Sequence, residues 1–180
     1  MNDVAALTAT LALLANAATI LLVVGLLAGP RSVTLDRFVW WTRDRALPLI
    51  AVVALASTLG SLYYSEIAHF EPCRYCWFQR IAMYPIVVVA GVAALRREGS
   101  ARLTVAVLAG TGLLVSTWHW LIQHNPDWAS EASCSLTAPC TSAYVEEFGF
   151  VTIPWMAGSG FVLILALAAL PTILREGTPR

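Results

Sequence analysis

"CRYCWFQRIAMYPIVVVAGVAAL", residues 73–95, sets two cysteines three apart at the head of an apolar run containing one arginine. A bilayer span needs about 20 mostly apolar residues, and residues 77–95 come close to one. Four further segments read the same way: 5–28, 47–65, 103–122 and 153–174. The 180-residue chain is 58% hydrophobic and only 12% charged, with a mean hydropathy of +0.71. Soluble domains carry about 25% charged residues. A soluble globular domain is excluded, and the expected class is an all-α, multi-pass membrane protein.

The first segment, "MNDVAALTATLALL", has no Lys or Arg ahead of it. A signal peptide carries a positive leading region, so segment 5–28 is expected to be a retained helix, ended by Gly29 and Pro30. All eleven basic residues are arginine, the net charge is zero, and no basic tract of the nucleic-acid-binding kind occurs. If all five segments cross, Arg31, Arg37, Arg43, Arg45, Arg96, Arg97, Arg102, Arg175 and Arg180 share one face. Arg74 alone lies in a loop of the other, beside Glu66, Glu71, Asp127, Glu131, Glu146 and Glu147. Arginine-rich loops stay cytoplasmic, so the N-terminus is expected outside and the C-terminus inside.

That topology places all four cysteines on the outer face. Cys73 and Cys76 fall in the loop before the third span, and Cys134 and Cys140 in the longer stretch 123–150. Thiols outside the cytoplasm are commonly oxidised. Cys-x-x-Cys spacing suits a reversible dithiol/disulfide pair and equally half of a zinc site. Zinc needs two more ligands at metal-like spacing. Cys134 and Cys140 have five residues between them and His69, His119 and His124 are scattered, so no metal is expected. "CSLTAPC", taken alone, reads as a structural staple; beside a redox-type pair it can also exchange disulfides and pass electrons.

Pro72 precedes Cys73, and an apolar helix begins near Cys76. Cys76 is therefore expected in the first turn, where free N–H groups and the helix dipole would stabilise its thiolate. Arg80 stands one turn further on the same face. An arginine near a span end can snorkel outward, but intramembrane charges are usually functional. A polar acceptor or the Cys76 thiolate is its expected partner. Trp118 and Trp120 read as interfacial anchors, and His119 between them as a candidate lining residue of a pocket near Arg80. Pro85 is expected to bend the third span and Pro154 to begin the fifth.

"CRYCWFQRIAMYP" (73–85) and "EEFGFVTIPWMA" (146–157) resemble the DsbB/BdbC family of membrane disulfide-generating oxidoreductases, over about residues 47–175. The related vitamin K epoxide reductases place the redox pair after the loop cysteines; here it comes first. The resemblance implies a four-helix bundle enclosing a quinone, ubiquinone or menaquinone, near the outer surface of a bacterial cytoplasmic membrane. Cys76 would be the quinone-side cysteine, with Arg80, Gln79 and His119 as cofactor-side residues. Cys73 would exchange with the loop pair, Cys140 being its inferred partner. Cys134 would meet a thioredoxin-fold dithiol oxidase of the DsbA/BdbD type. Membrane lipid and the respiratory quinone pool complete the expected partners. Segment 1–30 departs from the family pattern as an extra N-terminal membrane helix. It is followed by a cytoplasmic linker (31–46), the redox domain (47–175, outer loops 66–76 and 123–150) and a tail (176–180).

The expected activity is thiol:quinone oxidoreduction, electrons passing from Cys134/Cys140 to Cys73/Cys76 and on to the quinone. Two alternatives stand beside it. One is a reductase running in reverse, as in the vitamin K epoxide reductase type; the other is a non-catalytic scaffold stapled by its disulfides.

Overall fold

A computed structural model describes residues 2–28, 33–128 and 139–176. Its helices are α1 (Asn2–Ala28), α2 (Val33–Asp44), α3 (Ala46–Leu62), α4 (Arg74–Arg96), α5 (Ala101–His124) and α6 (Ile153–Glu176). All except α2 are long and apolar enough to cross a membrane. The chain is thus an all-helical, multi-pass membrane protein, and the five expected spans fall on α1 and α3–α6. These helices are apolar around most of their circumference, because lipid covers whatever the bundle does not. Leu7, Ile20, Val88, Leu95, Leu103 and Leu114 all stand exposed.

Helices α3–α6 pack into a bundle, and α1 lies along α6 and α2. The bundle core contains Ile50, Ala54, Met83, Ile86, Ala90, Val105, Ala109, Phe161 and Ile164. Small residues bring the backbones together: Gly112 of α5 lies flat against the Phe161 ring of α6, with no room for a Cβ. Pro85 sits within α4, which continues through it to Arg96.

The stretch expected as a linker is itself helical over Val33–Asp44. Val39 on its inner face packs beside Leu22 in the core, close against Gly25 of α1. Arg43 and Arg45 lie over the rings of Trp40 and Trp41, each 4.6 Å from the centroid. Chain direction puts α2 and Arg96, Arg97 and Arg102 at the end of the bundle opposite Cys73.

At the cysteine end, α3 widens into a π-turn, Tyr63–Ile67, before the chain reaches α4. Tyr64, Phe70 and Tyr144 form a continuous ring stack, with centroids 5.9 and 5.1 Å apart. Two short antiparallel strands, β1 (Glu146–Glu147) and β2 (Val151–Thr152), pair Glu146 with Thr152 and Glu147 with Val151. Phe148 and Gly149 make their turn with φ of 54° and 76°, left-handed values that glycine adopts without the steric cost Phe148 bears. Strand β2 runs directly into α6, where Pro154 occupies the first turn.

Candidate functional site

Helix α4 starts at the first cysteine. Cys73 is its N-cap, with extended backbone (φ −66°, ψ 170°), and its sulfur accepts a hydrogen bond from the Cys76 N–H at 3.4 Å. The N-cap atom takes the place of the missing helical carbonyl. Cys76 lies in the first turn, as expected, and both thiols are free with Sγ atoms 3.0 Å apart. The helix-end N–H, however, reaches Cys73. Thiolate stabilisation falls on Cys73, chiefly through the hydrogen bond from the Cys76 thiol and only in small part through that N–H.

Helix α5 brings His119 to the same sulfur. His119 is almost wholly buried, with Nε2 3.6 Å from Cys73 Sγ and 3.2 Å from the Cys140 carbonyl oxygen. Its Nδ1 lies 3.2 Å from Gln79 Nε2. With the Gln79 amide nitrogen donating, Nδ1 accepts and an Nε2–H faces the sulfur and the carbonyl. The Cys73 thiol is drawn down from 9.0 to about 4. The Cys76 thiol hydrogen bond is the main cause; burial opposes it, and the contact with His119 adds to it.

Cys140 is fully buried and packs with Cys73 and Ile122, against Tyr75 and Cys76. It is disulfide-bonded. Cys134 lies outside the described residues. Trp118 donates from Nε1 to the Tyr75 hydroxyl (3.2 Å), and Trp120 packs against His124 and Trp155. The aromatic cluster thus surrounds the cysteine end of α5.

A cavity of about 450 Å³ opens on the other side of α4. Cys76, Gln79 and Arg80 line it; Cys73 and His119 do not. His119 stands one layer behind, reached through Gln79. Arg80 donates from Nε to Ser61 Oγ and from Nη2 to the Ser61 carbonyl, both at 3.0 Å, and its Cζ lies 5.3 Å from the Trp77 ring centroid. Tyr84 donates to the same hydroxyl at 3.3 Å. Sequence reasoning missed Ser61, a small hydroxyl 19 residues upstream in an apolar helix, with no spacing signal to mark it. The rest of the lining is mostly aliphatic and aromatic. Such a cavity suits an apolar ring whose polar atoms meet Arg80 beside the Cys76 sulfur.

The Cys73 and Cys76 sulfurs and a His119 nitrogen lie within 4.8 Å of one another. That is three of the four ligands of a structural zinc site. Among the described residues no fourth His, Cys, Asp or Glu joins them.

The family model of the disulfide bond formation protein DsbB matches residues 43–171. A probable disulfide formation protein of Oceanobacillus iheyensis is 46% identical over 134 residues, 74% of this chain and 91% of the relative. Disulfide bond formation protein C of Bacillus subtilis is 41% identical over 119 residues, 66% of this chain and 86% of that protein. No solved structure matches the chain.

Proposed function

Because the chain belongs to the DsbB family of disulfide bond formation proteins, we propose that it is a thiol:quinone oxidoreductase re-oxidising an extracytoplasmic thioredoxin-fold dithiol oxidase. The single observation that carries this reading is the division of labour between two sulfurs 3.0 Å apart. Cys73 faces His119 and Cys140, while Cys76 faces the cavity. A dithiol relay between two different reactants needs this arrangement.

The exchange steps balance as follows. A partner dithiol opens the Cys134–Cys140 disulfide through a mixed disulfide with Cys134, leaving as a disulfide and releasing two thiols here. Cys140, packed beside Cys73, then attacks it and breaks the Cys73–Cys76 bond. Cys134 resolves the Cys140–Cys73 link, so the loop disulfide re-forms and Cys73 and Cys76 emerge as dithiol. His119 Nε2 is placed to give or take the proton at the Cys73 sulfur as this link forms and breaks. The stabilised Cys73 thiolate makes it a good leaving group, which speeds its release from Cys140.

The cavity residues fit a quinone, ubiquinone or menaquinone. Arg80, steadied by Ser61, would hold a carbonyl oxygen, with Gln79 at its side and Cys76 adjacent. A bound quinone supplies a sink for two electrons and two protons that side chains lack. The arginine-poor, cysteine-bearing end would face outward and the arginine-rich end the cytoplasm.

Differential alkylation tests the reading against a stapled scaffold. Supplied with reduced partner and then with quinone, Cys73 and Cys76 should alternate between alkylatable and protected. Uniform protection under all conditions would leave only a scaffold. A reductase acting in reverse would instead take electrons from quinol and reduce the partner disulfide.

A further inference from the structure

Helix α1 lies outside the residues matched by the family model, yet it forms one wall of the cavity holding Cys76. Thr8, Leu11, Ala12, Leu14, Ala15 and Ala18 all line that cavity. They recur at helical spacing along one side of α1. From Thr8 to Ala18 the wall is about 15 Å long at 1.5 Å per residue.

Two polar ties fix α1 there. Thr8 Oγ1 and the Tyr64 hydroxyl are 2.6 Å apart, and Asn16 donates to Ser159 Oγ at 3.0 Å. The first closes the cavity at the cysteine end, where Thr8 also approaches Gly60 of α3. Further along α1 the lining residues Leu11, Leu14 and, across on α3, Val52 are each at least half exposed. The cavity therefore opens sideways between α1 and α3, at membrane depth.

Its two ends differ chemically. Cys76, Gln79, Arg80, Ser61 and Glu71 lie at the closed end, and Leu14, Ala18, Val52, Val53 and Leu163 at the far one. A compact polar head with an apolar tail matches this gradient. We propose that α1 is the tail-binding wall of the acceptor site, and that the α1/α3 seam is the lateral opening through which the tail of a prenylated quinone meets the bilayer. This rests on the quinone reading above and adds a role for the helix beyond the family match. Small side chains at Ala12, Ala15 and Ala18 leave the tail its space.

The test compares a quinone carrying a decyl tail with a tail-less tetramethyl-benzoquinone, using the full-length protein and reduced partner. In Ala15→Phe the KM for the tailed quinone should rise about tenfold, the effect of losing contact with one or two methylenes. The rate with the tail-less ring should be unchanged, which also shows that the variant folds. Leu21→Phe, on exposed α1 surface away from the cavity, should alter neither. Equal loss with both quinones, or no change with either, overturns the role of α1. Failure of the unaltered protein to use either quinone overturns the underlying reading instead.

Discussion

Arg80 is held across the α3–α4 interface by Ser61, its Nε and Nη2 donating to the hydroxyl and the carbonyl of that one residue, both at 3.0 Å. Immediately after Ser61 the helix widens into the π-turn Tyr63–Ile67, a feature frequent at functional sites. The guanidinium is thereby fixed by neutral partners, and its positive charge stays directed at the cavity beside Cys76. Ser61→Ala keeps the carbonyl bond and loses the hydroxyl one, worth about 1 kcal/mol. KM for quinone should rise about fivefold with kcat nearly constant. Arg80→Lys, unable to span both acceptors, should cost more. Steady-state kinetics with varied quinone checks both.

The facing of the two sulfurs predicts which covalent intermediate accumulates. With Cys134→Ala, the free Cys140 thiol still packs beside Cys73, and the cysteine that resolves their link is gone. Once quinone has oxidised the Cys73–Cys76 pair, attack by Cys140 should build up a Cys73–Cys140 disulfide and release Cys76 as a thiol, detectable by mass spectrometry of non-reduced peptides. With Cys73→Ala no such species should form, and Cys76 should remain a free thiol.

Cys73 also predicts a pH dependence. Its pKa is depressed from 9.0 to about 4, so the reduced fold gains from the thiolate fully above the ordinary thiol value. The gain shrinks as pH falls through that window and vanishes below about 4. Thiolate ultraviolet absorbance of the reduced protein should therefore persist well below neutrality and fade near pH 4. Removing the Cys76 thiol should raise the midpoint most, and His119→Ala should raise it less, following the order of causes. The reduction potential of the pair in His119→Ala should drop by about 30 mV for each pKa unit lost.

How much of this was legible beforehand depended on range. The five spans were legible because hydropathy is local, and a helix start near Cys76 because Pro72 and the apolar run mark it; the cap falls three residues earlier, at Cys73. Helix α2 was not: residues 33–44 are polar on average, and Val39 finds its apolar partners only on α1. The hairpin at 146–152 hides behind Phe148, a residue that gives no turn signal at a left-handed position. The Cys73–His119 contact joins positions 46 apart, and the Arg80–Ser61 pair crosses two helices. Neither pairing leaves a pattern along the chain. The resemblance to the family suggested the proposed quinone and relay, and the facing of Cys73 and Cys76 and the cavity at Arg80 support that proposal.

Packing between α5 and α6 gives a stability prediction independent of the chemistry. A methyl group at Gly112 would drive into the Phe161 ring, which is fully buried. Gly112→Ala should destabilise the bundle by about 1–3 kcal/mol. The measurement is thermal denaturation in detergent, and a partly restored midpoint in Gly112→Ala/Phe161→Leu would show that the clash is the cause.

The most direct measurement is anaerobic: purified protein, a reduced thioredoxin-fold dithiol and a quinone, with quinone absorbance and thiol content followed together. The account predicts one quinone reduced for every partner disulfide formed, and complete loss of the coupling in Cys76→Ser. Thiol oxidation without quinone reduction, or full coupled activity in Cys76→Ser, would contradict it.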